Sequence, residues 1–383
     1  MAEAGRKNKT FARFISAVLF VVFIVPLAIE RLFFFRQPRN IKKILIIELW
    51  GIGDLIMASS VFKPLRRKFP EAQIVLLSKP DAQTLFSGAG LVDTFIVFDF
   101  PWVKFQNKYS FWRWDWQGLI KVMLALRNER FDLAIDARGD VRNNLLSFLT
   151  GARSRLGYNW TGGGFFLTDA QGTFKFRHRV EAWFNLLDHM KIDRRDAGPC
   201  LEVTEKERRW QEDFYSANGV FPGDLLVGIH PGAGRETRRW PLARFVETAK
   251  YVEARYKAKV IFFEGPDEKG SSLENGYLVA RPDLRQLLAL IKRVDLFICN
   301  DSGPMHIAAA LKRPVVAIFG PGDIERIGPY GARCYVAAAK GIKCRPCFDY
   351  CRFDKRVCLD AVGVEDVIEK INRAMEGLEY APV

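Results

Sequence analysis

One turn of the sequence combines several groups that could bind a phosphorylated ligand. The apolar run from Leu296 to Cys299 leads into Asp301, Ser302 and Gly303, and a helical pattern that contains His306 follows. The first N–H groups of a helix have no partner within the helix, and the helix dipole favours negative charge beside them. The carboxylate and the hydroxyl of the same turn could bind sugar hydroxyls. The turn therefore favours a ligand that contains both a diphosphate and a sugar.

A second turn could remove a proton from a bound hydroxyl. The apolar run from Ile41 to Leu49 ends shortly before Gly51, Gly53 and Asp54, where a helical pattern begins. The helix dipole keeps a carboxylate at this position ionised, so that it can accept a proton. Aspartate is also a favoured helix N-cap, and a purely structural role for Asp54 is the alternative. The two glycines would let a ligand approach the backbone closely.

A loop of small residues after another apolar run could accommodate a diphosphate. It consists of Gly232, Ala233 and Gly234. Three arginines follow the loop at Arg235, Arg238 and Arg239. Arginine can bind phosphate through two parallel hydrogen bonds, although at least one of the three is expected to be only a surface charge.

A further charged cluster follows the apolar run from Leu133 to Ile135. It contains Arg138, Asp140 and Arg142. Arginines at a strand end would suit a phosphorylated or carboxylated ligand. A structural network of salt bridges is the alternative interpretation.

Four of the seven cysteines lie close together in the sequence, at Cys344, Cys347, Cys351 and Cys358. Four thiols at such short spacing suit a structural zinc or iron–sulfur site, although the spacing matches no standard pattern. Disulfide pairs and reduced thiols are the alternatives. The other three cysteines are isolated, so the chain does not resemble a secreted, disulfide-stabilised domain.

Apolar, β-branched runs alternate with helical patterns along most of the chain, which predicts βαβ units and parallel sheets. The predicted strands are Ile41–Leu49, Gln73–Leu77, Thr94–Phe98, Leu133–Ile135, Leu225–Ile229, Lys259–Phe263, Leu296–Cys299 and Val315–Phe319. A chain of 383 residues is expected to form two domains. We expect an N-terminal segment at residues 1–40 and two doubly wound α/β domains at 41–204 and 205–383. Ligands bind such sheets at the carboxyl ends of the strands.

The N-terminal segment has the composition of a membrane anchor. Phe14 to Ile29 is apolar, and residues 1–43 carry nine of the basic side chains against two acidic ones, out of a net charge of +14. Sixteen residues are fewer than the roughly 20 that cross a bilayer, and Pro26 would kink the helix. A short tilted span and a helix lying on anionic lipid are both open. Since this charge flanks an apolar segment, it does not indicate nucleic-acid binding.

The aromatic and basic stretch from Phe100 to Trp116 has a composition that is typical of the boundary between water and lipid. We interpret it as a membrane-facing loop, with ordinary packing of an insertion as the alternative.

Three stretches in order resemble glycosyltransferase family 9, the ADP-heptose:lipopolysaccharide heptosyltransferases and their relatives. They are ILIIELWGIGDLIMASSVFKPLRRKFP from Ile44, GIHPGAGRETRRWPLARF from Gly228 and CNDSGPMHIAAALKRPVVAIFGP from Cys299. The resemblance implies a GT-B fold, in which two Rossmann-like domains face each other across a cleft. The N-terminal domain would hold the acceptor and the C-terminal domain the nucleotide-sugar donor. It also implies inversion at the anomeric carbon without an essential metal, and the chain contains no Asp-x-Asp triplet.

The resemblance also implies roles for the residues above. Asp54 would be the catalytic base, with Gly51, Gly53 and the Arg138, Asp140 and Arg142 loop on the acceptor side. Arg238 would bind the donor phosphates beside Gly232, Ala233 and Gly234, in a place where the family often has lysine. Asp301 would contact the sugar, and Ser302, Gly303, Met305 and His306 the phosphates. Glu268 is a candidate for the nucleotide ribose, and an exposed loop carboxylate is its alternative.

The predicted function is therefore an inverting transfer of a heptose-like sugar from a nucleotide-sugar, such as ADP-heptose, to a lipid-linked saccharide such as the lipopolysaccharide core. The predicted location is the cytoplasmic face of the inner membrane, and no nucleic-acid partner is expected. Transfer of a different sugar is the alternative. A sugar-nucleotide binding protein without turnover is a weaker one, because it would not need Asp54.

Overall fold

The computed structural model describes residues 16–28, 40–104, 110–172, 178–265, 276–347, 349–351, 353 and 356–378. The chain divides into two compact units, residues 1–198 and residues 199–383. Each unit contains one parallel six-stranded sheet with helices around it. The prediction of two α/β units, each with a parallel sheet, is confirmed.

The sheet of the first unit has the strand order β3-β2-β1-β4-β5-β6. Its strands are β1 (Lys43–Ile47), β2 (Gln73–Ser78), β3 (Thr94–Val97), β4 (Leu133–Asp136), β5 (Ser154–Tyr158) and β6 (Asp169–Gln171). Its labelled helices are α1 (Ile52–Ala58), α2 (Phe62–Lys68), α3 (Asp81–Phe86), α4 (Trp116–Asn128), α5 (Val141–Leu149) and α6 (Arg179–His189). Strands β1 and β4 are buried along almost their whole length, as their apolar sequences require.

The sheet of the second unit has the strand order β12-β11-β10-β7-β8-β9. Its strands are β7 (Leu226–His230), β8 (Lys259–Phe263), β9 (Leu278–Ala280), β10 (Leu296–Asn300), β11 (Val315–Phe319) and β12 (Cys334–Ala338). Its helices are α7 (Glu205–Ala217), α8 (Leu242–Tyr256), α9 (Leu284–Arg293), α10 (Gly303–Ala310), α11 (Ile324–Ile327), α12 (Val357–Asp360) and α13 (Val364–Glu376). Helix α7 begins at a capping box between Thr204 and Glu207, which satisfies two of its first N–H groups.

The strand order reverses direction once in each sheet, and these reversals position the candidate residues. In the first sheet the reversal lies between β1 and β4, and in the second between β7 and β10. The loops after two such strands leave in opposite directions and open a crevice between them. All four loops that the sequence singled out follow these four strands.

Strand β5 and the edge strands β6, β9 and β12 are not among the predicted strands. Strand β5 contains Arg155 and Gly157, β6 is the polar segment Asp169–Gln171, and β9 has only three residues. Pairing with a neighbouring strand makes them extended, and an apolar pattern alone does not reveal this.

The N-terminal apolar segment forms a helix over residues 16–28. Phe23 packs against Phe148 and Phe166 of the first unit, while Val21 and Val22 are exposed. No helix in the described part of the chain is both long enough and apolar enough to cross a membrane.

The aromatic stretch after β3 is described except for residues 105–109. Trp102 packs against Phe100 and Trp114 with tilted rings, and Trp114 packs in the same way against Phe111 and Trp116. Trp112 is 80% exposed. The stretch thus combines internal packing with one largely exposed indole ring.

Candidate active site

Asp54 lies in the first turn of α1, directly beyond the carboxyl end of β1. Gly51 occupies the N-cap position, and no side chain caps this helix, so Asp54 does not serve as the N-cap. Its Oδ1 accepts a hydrogen bond of 3.0 Å from Nη1 of Arg138, and Nε of Arg179 lies 3.8 Å away. Two cations therefore lie beside the Asp54 carboxylate and orient it.

Arg138 is fixed from two sides. Its guanidinium lies 4.0 Å from the ring centroid of Trp50, and its backbone N–H donates to Oδ2 of Asp136. The stacking contact and the hydrogen bond to Asp54 leave the side chain little freedom to change rotamer. The structure thus brings together Asp54 and Arg138, which the sequence placed on two separate strand ends.

Asp140 and Arg142 form a local pair at the start of α5. Asp140 caps this helix by accepting from the Arg142 backbone N–H, and it also accepts from Nε and Nη2 of Arg142 at 2.8 and 2.6 Å. Burial favours the neutral acid, but these hydrogen bonds and the charge of Arg142 hold the pKa of Asp140 below its ordinary value. This geometry agrees with the structural alternative for these two residues.

Two buried carboxyl groups next to this site were not singled out from the sequence. Glu48 is 3% exposed at the end of β1, and burial together with the nearby charge of Asp54 raises its pKa well above the ordinary value. Asp136 is 1% exposed at the end of β4, and burial raises its pKa to about 6. The sequence feature that could have identified both residues is an acidic side chain at the end of an apolar run. Arg179, the second cation beside Asp54, gave no comparable signal.

In the second unit, the side chain of Asn300 connects the segments after β7 and β10 by hydrogen bonds. Its side-chain carbonyl accepts from the backbone N–H of Trp240 at 3.1 Å, and its amide donates to the carbonyl of Pro231 at 2.6 Å. The small-residue loop therefore lies beside the first turn of α10. Ala233 is buried, and its carbonyl accepts from Nε of Arg239 at 2.9 Å.

The first turn of α10 has the geometry expected of an anion site. Ser302 is the N-cap and forms no side-chain capping bond, Gly303 begins the helix and Pro304 follows it. Met305 and His306 are buried, at 0% and 7% exposure. The Ser302 hydroxyl donates instead to the carbonyl of Asn300 at 3.3 Å. No side chain caps the first backbone N–H groups of α10, and these can bind a ligand.

Arg238 and Asp301 face each other above these two turns. Nη1 of Arg238 lies 3.2 Å from Oδ2 of Asp301, and this buried oxygen accepts no hydrogen bond from the described residues. Burial raises the pKa of Asp301 to about 6, against the charge of Arg238, which lowers it. Buried polar atoms normally have a hydrogen-bond partner, so the Asp301 oxygen is a natural acceptor for a ligand hydroxyl.

Arg238 has a second acidic partner, Asp349, which the sequence did not reveal. Nε and Nη2 of Arg238 donate to the Asp349 carboxylate at 3.0 and 2.7 Å. Glu268 lies outside the described residues, and Glu264 at the end of β8 is paired with Arg281 at 2.7 Å.

The four clustered cysteines line one small cavity together with Thr237, Pro321, Phe353, Arg356 and Val357. Cys299, Cys334, Cys344, Cys347 and Cys358 are free thiols in the structure. Burial raises the thiol pKa of Cys347 and of Cys358. Within the described residues, no three His, Cys, Asp or Glu side chains are arranged to hold a metal ion. The four cysteines are therefore neighbours around this cavity, and the zinc or iron–sulfur interpretation stays a prediction.

Comparison with known proteins finds relatives over most of the chain. Residues 119–357 match Glycosyltransferase family 9 (heptosyltransferase). Lipopolysaccharide heptosyltransferase 2 of Escherichia coli strain K12 is 26% identical over 320 residues, which are 77% of this chain and 87% of that protein. Lipooligosaccharide heptosyltransferase 2 of Campylobacter jejuni serotype O:6 is 24% identical over 339 residues, covering 84% of this chain and 96% of that protein.

Solved structures show the same fold. A glycosyl transferase family 9 protein from Veillonella parvula superposes with a TM-score of 0.72 at 24% identity, covering 89% of this chain and 99% of the other. The E. coli ADP-heptose lipopolysaccharide heptosyltransferase II superposes with a TM-score of 0.65 at 21% identity, covering 88% and 99%.

Proposed function

Because the chain belongs to glycosyltransferase family 9 and is therefore an enzyme of the glycosyltransferase class, we propose that it transfers a heptose from ADP-heptose to a lipid-linked saccharide of the lipopolysaccharide core type. The observation that carries the proposal is the pairing of Arg238 with Asp301 above the open N-terminus of α10. This arrangement offers positive charge for a diphosphate and a carboxylate for sugar hydroxyls within one small volume.

On the donor side, the leaving group is a nucleoside diphosphate. As the bond between the anomeric carbon and the diphosphate oxygen breaks, negative charge develops on that oxygen. Arg238 and the first N–H groups of α10 stabilise this charge, and such preorganised donors are usually a large contribution to catalysis. We propose that no metal ion is needed, since the sequence lacks an Asp-x-Asp triplet that would hold one on the diphosphate.

On the acceptor side, Asp54 acts as the general base. It takes the proton of the acceptor hydroxyl while that oxygen bonds to the anomeric carbon from the face opposite the diphosphate. One C–O bond forms and one breaks, so the products are the inverted glycoside and ADP. Arg138 and Arg179 hold the carboxylate in its orientation before the reaction.

The choice of ADP-heptose and of a lipopolysaccharide-type acceptor is supported by the names of the similar proteins. The relatives in E. coli and C. jejuni are named as lipopolysaccharide and lipooligosaccharide heptosyltransferases, and the solved E. coli relative is named for ADP-heptose.

The decisive experiment is an assay of ADP release. Purified protein is incubated with ADP-heptose and heptose-deficient lipopolysaccharide, and ADP is measured with and without the acceptor. We expect acceptor-dependent release, with ADP-glucose and UDP-glucose as control donors. Release with a control donor but not with ADP-heptose would replace heptose by another sugar, and no release with any donor would reject the transferase proposal.

We further propose that the N-terminal helix holds the enzyme at the cytoplasmic face of the inner membrane. The exposed valines of residues 16–28 and the basic residues on both sides of the segment support this location. Co-sedimentation with vesicles that contain anionic lipid tests it. Full-length protein should pellet with the vesicles, and protein that begins at residue 40 should stay in the supernatant.

The cysteine cluster is proposed as a structural element of the second unit. Elemental analysis of purified wild-type and Cys347→Ser protein distinguishes its possible states. One zinc or several irons per chain, lost in the variant, would establish a metal site, and equal metal content in both proteins would exclude one at these thiols.

A further inference from the structure

The loop that carries the cysteines is bound to the turn that carries Arg238. Arg356, at the start of α12, donates through Nη1 to the carbonyls of Glu236 and Arg239 at 3.3 and 2.9 Å. The backbone N–H of Cys347 donates to the carbonyl of Pro321 at 3.1 Å, just beyond β11. The cysteine loop is therefore fixed both to the sheet and to the Arg238 turn.

Asp349 is the residue of this loop that contacts the arginines directly. Its side chain is only 3% exposed, and it accepts from Nε and Nη2 of Arg238 and from the Thr237 hydroxyl at 2.8 Å. Nη1 of Arg235 lies 3.1 Å from the same carboxylate. Burial by itself favours the neutral acid, but these hydrogen bonds and charges hold the pKa of Asp349 below its ordinary value.

The bidentate contact fixes the orientation of the Arg238 guanidinium. With Nε and Nη2 bound to Asp349, Nη1 is the nitrogen that faces Asp301. An arginine side chain otherwise loses considerable rotamer entropy when it binds an anion, and a fixed partner removes that cost before the ligand arrives. Without Asp349, Arg238 could turn fully onto Asp301 and neutralise the carboxylate proposed to bind the sugar.

Accepting the proposed function, we propose that Asp349 is a positioning residue for the donor diphosphate. It binds Nε and Nη2 of Arg238, so that Nη1 faces Asp301 above α10. The loop that contains Cys344, Cys347 and Cys351 serves to place this carboxylate.

Coulomb attraction alone and positioning by Asp349 predict opposite changes in anion affinity when the charge of Asp349 is removed. Removing a negative charge from the neighbourhood of a diphosphate site should strengthen anion binding through Coulomb attraction. Positioning predicts weaker binding, because the arginine loses its orientation. The sign of the change therefore distinguishes the two effects.

The experiment measures binding of inorganic pyrophosphate and of ADP to the full-length protein by calorimetry, together with steady-state kinetics. Asp349→Asn keeps the shape of the side chain and removes its charge. We expect about tenfold weaker binding of both ligands, corresponding to roughly 1.4 kcal/mol, and a higher KM for the donor with the acceptor KM unchanged. Asp360→Asn is the matched control, since Asp360 is an exposed acid on α12 and should behave as wild type.

Unchanged or tighter pyrophosphate binding in Asp349→Asn would overturn the proposal, and so would equal weakening in Asp360→Asn. If Asp349→Asn does not fold, Thr237→Val removes one hydrogen bond to Asp349 without changing the charge. It should weaken binding about threefold, and wild-type affinity in this variant would then overturn the proposal. Absence of ADP binding by the wild type would instead reject the proposed donor site as well.

Discussion

Nη1 of Arg138 donates to Oδ1 of Asp54 across 3.0 Å, and the two residues lie 84 positions apart in the chain. The contact joins the ends of β1 and β4, the two strands at which the order of the first sheet reverses. It orients the carboxylate proposed to take the acceptor proton.

Replacing Asp54 by asparagine should abolish sugar transfer and leave donor binding intact. Asparagine keeps the shape of the side chain but cannot accept a proton, and general bases typically contribute about 10²- to 10⁴-fold to the rate. The measurement is kcat from ADP release, with ADP affinity determined by calorimetry on the same sample. A variant that retains wild-type kcat would exclude Asp54 as the base.

Replacing Arg138 by lysine should lower kcat by about tenfold. Lysine keeps the positive charge but loses both the planar stacking on Trp50 and the directed hydrogen bond to Asp54. The control is Arg153→Lys, since Arg153 is a largely exposed arginine of the same unit. If both variants keep wild-type kcat, the orientation of Asp54 does not depend on Arg138.

The buried carboxyl of Glu48 should make stability depend on pH. Its pKa is raised in the folded protein, so the folded state binds a proton that the unfolded state has already released. This contribution is present in full below the ordinary pKa of a glutamate and is lost as the pH rises toward the raised value. Glu48→Gln has no such proton to lose.

We therefore expect Glu48→Gln to gain stability relative to the wild type between pH 5 and pH 8. The gain should be at least about 1.4 kcal/mol, which corresponds to a pKa shift of one unit. Urea unfolding of both proteins at several pH values measures it. A difference that stays constant with pH would show that folding does not raise the pKa of Glu48.

A methyl group at Gly322 should damage the donor site. An added Cβ would lie 2.2 Å from Oδ2 of Asp301, a distance that forces the carboxylate to move. We expect Gly322→Ala to raise the donor KM about tenfold while the acceptor KM stays the same. Gly223→Ala is the control, because no atom lies within 4 Å of its added Cβ. Equal donor KM values in the two variants would show that the position of Asp301 is not critical.

Donor use should decline in acid as Asp301 takes up a proton. Burial raises the pKa of this carboxyl to about 6, with Arg238 lowering it and Asp349 raising it. Below that pH the ionised acceptor for sugar hydroxyls is lost, so kcat/KM for the donor should fall as the pH decreases from 7 to 5. Asp301→Asn should have a low kcat/KM without this inflection, and an unaltered inflection in the variant would assign it to another group.

Local sequence determined most of the framework. Apolar runs predicted the central strands β1, β4, β7, β10 and β11, because burial on both faces leaves little room for polar residues. The residues that follow these strands, Asp54, Gly232 and Asp301 among them, could be recognised because the carboxyl ends of parallel strands are where such sheets bind ligands.

Only the tertiary structure decided which side chains meet. Asp349 lies 111 positions from Arg238, and no short pattern links them. Arg179 likewise reaches Asp54 because α6 packs against α1. Asp140 caps helix α5, a role that the sequence alone could not distinguish from ligand binding. A sequence pattern records what one segment buries or exposes, whereas contacts between charged groups depend on where the chain returns to the same sheet edge.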